Sequence, residues 1–182
     1  MDAALHTARL ILRPPAAGDI GRFFSIHSDP ATNLFNPAGP MRSAATAAAS
    51  LAAWCEHWRL HGYGQWAIST VEAPDHVIGF GGIALRAYLD SERVNLGYRF
   101  DAACWGQGYA SEVAFAARDL AMATLGLARI DGLVRPRHGA SIRVLEKIGM
   151  ERDGLLDDTP GQPPSLVYAM TQTRFRALAG GG

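Results

Sequence analysis

The chain has 182 residues, with 17 lysines plus arginines against 17 aspartates plus glutamates, so its formal charge is zero. That length suits about one domain and buries a core without disulfide or metal staples. Hydrophobic content of 48% with 19% charged residues excludes wholesale disorder, and neutrality excludes bulk attraction to nucleic acid or to an anionic membrane.

Thr7 to Arg13 alternates, with Leu10 and Leu12 opposite Arg9, Ile11 and Arg13, which predicts a strand closed by Pro14-Pro15. Asp19 opens a short helix carrying Ile20, Phe23, Phe24 and Ile26, and Asn33 to Pro40 reads as a loop. Ser43 is the expected N-cap of a second helix. Its apolar face is Leu51, Trp54, Cys55 and Trp58, and Gly62 ends it. Three strands follow, Gln65 to Val71, Val77 to Leu85 and Arg93 to Phe100, separated by short turns such as Ala73-Pro74-Asp75. Connections this short predict an antiparallel meander.

A helix is expected from the end of Cys104-Trp105-Gly106-Gln107-Gly108-Tyr109-Ala110 to about Leu125, then a strand over Ala128 to Val134. Ser141 to Ile148 reads as a helix with Ile142, Leu145 and Ile148 inward and Gly149 as its stop. Strands Met150 to Leu156 and Leu166 to Thr171 flank a Pro/Gly loop, and Gly180-Gly181-Gly182 reads as a tail. The order β-α-α-β-β-β-α-β-α-β-β predicts an α/β chain of the α+β kind, a mixed sheet with helices on both sides. No linker or internal repeat divides it, so residues 1–182 are expected to form a single domain.

The two cysteines, Cys55 and Cys104, lack C-x-x-C spacing, and free thiols in a reducing compartment are expected. No basic and apolar leader precedes Thr7, and the run Ser43 to Cys55 is too short to span a bilayer. A soluble, cytoplasmic protein is the expectation. The six histidines, His6, His27, His57, His61, His76 and His138, are read as lacking H-x-x-x-H and H-E-x-x-H spacing, so no metal site is expected, and no G-x-S-x-G elbow suggests a serine hydrolase.

The most informative stretch is Trp105-Gly106-Gln107-Gly108-Tyr109-Ala110, which follows a strand and starts a helix. Two glycines let a ligand approach the backbone, and the free N–H groups and dipole of a helix N-terminus favour a phosphate or pyrophosphate. A plain turn is the competing reading. A dinucleotide loop fits poorly, because the final glycine or alanine of G-x-G-x-x-G/A is Ser111 and Asp131 falls in mid-strand.

The run Trp105 to Glu112, with Arg129-Ile130, Pro136 and Ser141-Ile142-Arg143-Val144-Leu145-Glu146-Lys147-Ile148-Gly149-Met150, resembles the GNAT acyltransferases. Together with the opening Leu10-Ile11-Leu12-Arg13-Pro14, it is similar to their ribosomal-protein N-acetyltransferase (RimJ/RimL-like) branch. The resemblance runs from about Thr7 to Thr171 and implies the GNAT fold, with a mostly antiparallel sheet. It implies acetyl-CoA as co-substrate, no metal, and a primary amine as acceptor, either a protein N-terminal α-amine or a small amine. It leaves open a monomer or a homodimer.

On this resemblance the pyrophosphate sits on the N–H groups of Gly106, Gln107, Gly108, Tyr109 and Ala110, beside Trp105, and the pantetheine runs along Tyr98, Arg99 and Phe100. Transfer is direct, so neither cysteine is a nucleophile. Cys55 is expected in the core, and Cys104 to pack or touch ligand.

Several positions depart from the family pattern. Asn95 stands where relatives often carry a carboxylate; it cannot accept a proton but can orient an amine or a water. Asp90 and Glu92 are the nearby acids, otherwise solvated turn charges, and Glu112 is read as structural. Leu145 occupies the position of the family's general-acid tyrosine. Ser141 is placed to hydrogen-bond the departing sulfur, or else to cap its helix. His138 replaces an asparagine and remains a candidate CoA contact. The acceptor side is assigned to Asn33 to Pro40 and Asp157 to Ser165. The main expectation is an N-acetyltransferase, and the alternative is a non-catalytic acyl-CoA-binding or sensing module.

Overall fold

The computed structural model describes residues 4–89 and 91–180. Its strands form an eight-stranded sheet. The chain divides into two compact units. One holds the residues up to Gly82 together with Tyr98–Glu112; the other holds Ile83–Gly97 and the residues from Val113 onward.

In the first unit the predicted opening strand is a tight hairpin of β1 (Leu5–His6) and β2 (Leu10–Arg13). Thr7 makes the turn: its N–H donates to the Leu10 carbonyl at 2.9 Å, and its hydroxyl accepts from the Leu10 N–H at 3.0 Å. Helix α1 (Ile20–Ser28) follows Asp19 as expected. Asp19 works backwards, accepting from Ala16 N–H and from both terminal nitrogens of Arg13 at 2.6–2.8 Å, which fixes the turn after the two prolines. Helix α2 (Ala44–His61) is capped by Ser43, whose hydroxyl accepts from Thr46 N–H at 3.1 Å, and it ends at Gly62.

Strand β3 (Gln65–Thr70) pairs antiparallel with β4 (Ala73–Tyr88). The reversal falls at residues 71–72, not at Ala73-Pro74-Asp75. Ser69 faces Val77 while Thr70 faces Ala73, so Pro74, Asp75 and His76 are absorbed in a bulge, where a residue without an N–H is tolerated. Phe23, Ile26, Ala47, Leu51, Ala67, Val77 and Phe80 form the buried core of this unit, with Trp54 and Cys55 packed against it.

The second unit contains the end of β4, the first part of β5 (Ser91–Phe100), β6 (Arg129–Val134), β7 (Glu151–Leu156) and β8 (Ser165–Thr171). Strand β8 pairs antiparallel with both β6 and β7. The helix after the glycine loop, α3 (Tyr109–Asp119), stops short of Leu125; Leu120–Thr124 winds into a wider turn in which Leu125 N–H donates to the Leu120 carbonyl at 2.8 Å.

Helix α4 (Gly139–Lys147) packs Leu145 onto Gly132 of β6, where a Cβ on the glycine would lie 2.8 Å from Leu145 Cδ2. A further helix that the sequence did not predict, α5 (Gln172–Gly180), takes in the first glycine of the expected tail and is anchored by Gln172 to the carbonyls of Met122 and Leu127 and by Arg174 to Glu151. Gly181 and Gly182 lie outside the described residues. No helix among the described residues is long and apolar enough to cross a membrane.

Candidate active site

The glycine run begins where β5 ends. Asp101 starts it: its N–H donates to the Ile78 carbonyl at 2.9 Å, and its carboxylate accepts from Ala103 N–H at 3.1 Å and pairs with Arg22 at 2.6 Å. Phe100 lies over Gly79, whose missing Cβ would sit 2.5 Å from the ring. Trp105 Nε1 donates to the Phe100 carbonyl at 3.1 Å, while the indole stays exposed. Gly106 and Gly108 follow with φ of +76° and +81°, a region open to glycine at no steric cost. No heavy atom lies within 4 Å of a Cβ placed on Gly106, and only Arg9 Nη2, at 3.5 Å, approaches one on Gly108. Helix α3 starts directly after, at Tyr109, followed by Ala110.

A residue from the other end of the sequence holds this loop. Arg9 Nη1 donates to the Gln107 carbonyl at 2.9 Å, its guanidinium lies 4.8 Å from the centre of the Tyr109 ring, and its Nε donates to Glu112 at 2.8 Å. Glu112 also accepts from the Thr7 hydroxyl at 2.6 Å and from Arg9 N–H at 2.9 Å. Burial alone would raise the Glu112 carboxyl, but the bonds from Thr7 and Arg9 hold it below the usual carboxylate range. Glu112 is thus structural, as read. Arg9 and Thr7 carried no signal in sequence, because their partner is more than 100 positions away.

Strands β5 and β6 run parallel, and their ladder is a single bridge, Asn95 opposite Asp131. Asn95 is buried; its amide oxygen accepts from the Tyr88 hydroxyl at 2.6 Å and from Leu133 N–H at 3.2 Å, while its nitrogen donates to the Leu96 carbonyl at 2.9 Å. Burial raises the Tyr88 phenol, so it stays a donor. Of the two nearby acids, Glu92 is exposed on β5, and Asp90 lies outside the described residues.

The histidine and serine candidates occupy the start of α4. The helix begins at Gly139 with His138 as its N-cap residue, so Ser141 is the third residue of the first turn and not the cap. Both are half-buried, and burial lowers the His138 imidazole. Leu145, where the resemblance sought an acid, is core. The candidates divide by unit: Tyr98 to Ala110 fall in the first, and Asn95, His138 and Ser141 in the second.

The model of the acetyltransferase (GNAT) domain matches residues 9–151. The chain belongs to the GNAT acetyltransferase family. It is 29% identical over 156 residues to the uncharacterized N-acetyltransferase p20 of Bacillus licheniformis, covering 85% of each chain. Its fold matches an acetyltransferase from Agrobacterium tumefaciens at TM-score 0.78 and 29% identity, over 93% of this chain and 94% of that one. The spermidine N-acetyltransferase of Vibrio cholerae, solved with CoA and spermine, shares the fold at TM-score 0.73 and 15% identity, over 93% of this chain and 99% of that one.

The enzyme is therefore an acetyl-CoA-dependent N-acetyltransferase. The loop fits this donor: two positive-φ glycines leave open space at a helix start, where N–H groups attract a phosphate.

Neither thiol of this acetyltransferase is in a disulfide; both are half-buried and raised by burial, which suits packing and not nucleophilic attack. Cys55 Sγ donates to the Pro15 carbonyl at 3.2 Å. His57 and His61 do stand one helical turn apart on α2, rings 4.4 Å apart, so an H-x-x-x-H spacing is present that the histidine reading passed over. Among the described residues no third histidine, cysteine or acid joins them as a metal-ligand group.

On the proposed acceptor side, Asn33 closes a short 3₁₀ turn and is buried. Its nitrogen donates to the carbonyls of His27 and Asp29 at 2.8 Å, and its oxygen accepts from Asn36 and from Arg99 Nη1. The other assigned segment is pinned by Arg135, which binds Asp158 at 3.2 Å, Ser165 at 2.9 Å and the Pro163 carbonyl at 2.6 Å.

His27 stacks on Phe23 at 4.1 Å, with Trp54 and Phe80 at 5.8 Å. Burial, opposed by a bond to the Phe23 carbonyl and reinforced by the Arg99 charge, lowers its imidazole to about 4. The unfolded chain, with a histidine near 6.5, then binds a proton that the folded chain refuses, so stability falls as pH drops from about 6.5 towards 4. Urea unfolding is expected to show a loss of about 2 kcal/mol between roughly pH 7.5 and pH 5. A His27→Gln variant should lack most of that slope; an equal slope in the variant would assign it elsewhere.

Proposed function

We propose that the enzyme acetylates a primary amine, either a protein N-terminal α-amine or a small amine, as a member of the RimJ/RimL-type branch. The open, positive-φ glycine loop at the start of α3 supports the donor half of this reading, since free N–H groups at a helix start suit the pyrophosphate of acetyl-CoA. Both units act as one GNAT domain, and the cytoplasm supplies the reducing setting.

Acetyl-CoA supplies an acetyl thioester; the neutral amine nitrogen bonds to its carbonyl carbon, the C–S bond breaks to release the CoA thiolate, and the nitrogen's proton passes through water to that sulfur. The N–H groups of Gly106 to Ala110 bind the pyrophosphate, Arg9 holds the loop in shape, and Tyr98, Arg99 and Phe100 offer backbone to the pantetheine. A β5 backbone N–H donates to the thioester oxygen. Asn95 fixes the Tyr88 hydroxyl and, being an amide, supplies no base. Ser141 donates to the departing sulfur, and His138 contacts CoA.

The test is thiol release from acetyl-CoA with N-terminal peptides, polyamines and amino acids, alongside calorimetry with CoA. Release that depends on an amine, with mass spectrometry showing the acetylated amine, is expected. CoA binding without transfer to any amine would overturn the acceptor reading.

A further inference from the structure

Every other arginine of the described chain either lies within 3.6 Å of a carboxylate or is exposed to solvent. Arg99 is neither. It is half-buried on β5, and among the described residues no acid pairs with it. Its partner is the Asn33 amide oxygen, which is shared with Asn36. An amide oxygen offers only a partial charge, so the guanidinium keeps its full charge in a place from which water is partly removed. The neighbouring ring is no counter-ion either, since His27 is neutral at pH 7 and feels Arg99 as a repulsive charge. Consistently, burial lowers the Arg99 guanidinium with no acid opposing the shift.

A partly desolvated cation with no acid among the described residues is a cost to folding, and an anionic ligand would recover it. The Asn33–Arg99 bond places this cation against the segment assigned to the acceptor. We propose that Arg99 is a specificity-determining residue that binds a carboxylate carried by the amine acceptor, so that the enzyme prefers amino acids or acid-bearing peptides over neutral amines and polyamines. This rests on the acceptor reading above. The carboxylate enters as an acceptor-only group facing the guanidinium fork, a charge-assisted pairing stronger than the amide contact it supplements. A polyamine brings only further positive charge to Arg99 and is disfavoured.

The experiment compares free amino acids with the same compounds as C-terminal amides. In the wild-type enzyme kcat/KM is expected to favour the acid by at least about tenfold, the ratio given by one added charge-assisted pair. In Arg99→Gln that ratio should fall towards one, and Arg99→Lys should restore part of it. A wild-type ratio near one overturns the proposal without any variant, and so does an unchanged ratio in Arg99→Gln.

A second arm does not need turnover. Calorimetry measures binding of N-acetylated amino acids and their amides, with CoA present, to wild type and Arg99→Gln. Preference for the acid in wild type alone supports the proposal even if every amine tested is a poor acceptor. Weakened binding of free CoA by Arg99→Gln, with no change in the acid preference, would assign Arg99 to a CoA phosphate and overturn the carboxylate site. Failure of the acceptor reading is seen separately, as absence of amine-dependent thiol release.

Discussion

A Gly108→Val variant is expected to lose binding of acetyl-CoA and of free CoA together, because the pyrophosphate is common to both. Two effects combine. The backbone holds φ at +81°, a conformation costing a side-chain-bearing residue roughly 1–2 kcal/mol, and the valine methyls fill the space at the start of α3 that the phosphate needs. A loss of more than about 100-fold in affinity, near 2.7 kcal/mol, is the expected size. The fold should survive, since a Cβ at Gly108 comes no nearer than 3.5 Å to Arg9 Nη2, an ordinary contact. Calorimetry with CoA on the folded variant, checked by circular dichroism, reads the effect. Wild-type affinity would remove the phosphate-loop assignment.

The second large effect is on rate. Position 95 carries an amide, and that amide is occupied by Tyr88, Leu133 and Leu96. Glu92 is exposed on β5 and not held against any of them. Among the described residues no carboxylate stands at position 95 or bonds its amide, so the amine is expected to arrive neutral, and kcat/KM should rise about tenfold per pH unit up to the acceptor's own pKa. An α-amine, near pH 8, and a lysine-like amine, near 10.4, should then give profiles displaced by about two units. Superimposable profiles would point to a titrating group of the enzyme.

Much of the fold was legible because it is local. The apolar spacing of Leu51, Trp54, Cys55 and Trp58, the Ser43 cap and the Gly62 stop define α2 in sequence, and all three appear where they were read. The errors came where a distant partner overrides a local signal. Pro74 suggested a turn, but a bulge opposite Ser69 and Thr70 absorbs it. Helix α5 has little apolar periodicity, and Gln172 and Arg174 fix it through contacts to Met122, Leu127 and Glu151. Ser141 looked like a cap because hydroxyls favour that position, yet the helix starts at Gly139.

For the site, the sequence by itself determined the chemistry on offer. Gly106 and Gly108 ahead of a helix offer the open backbone that the proposed anion cradle uses, and Asn95 and Leu145 specify the lack of a carboxylate base and a tyrosine acid at those positions, because residue type alone sets which protons can move. Only the tertiary structure decided which charges are compensated. Arg9 and Arg99 both look like ordinary polar positions on strands, but folding gives Arg9 the Glu112 carboxylate and, among the described residues, gives Arg99 the Asn33 amide and no acid. The reason is physical: a charge's energy depends on its partners and its access to water, and both are set by residues brought together from 66 or more positions away.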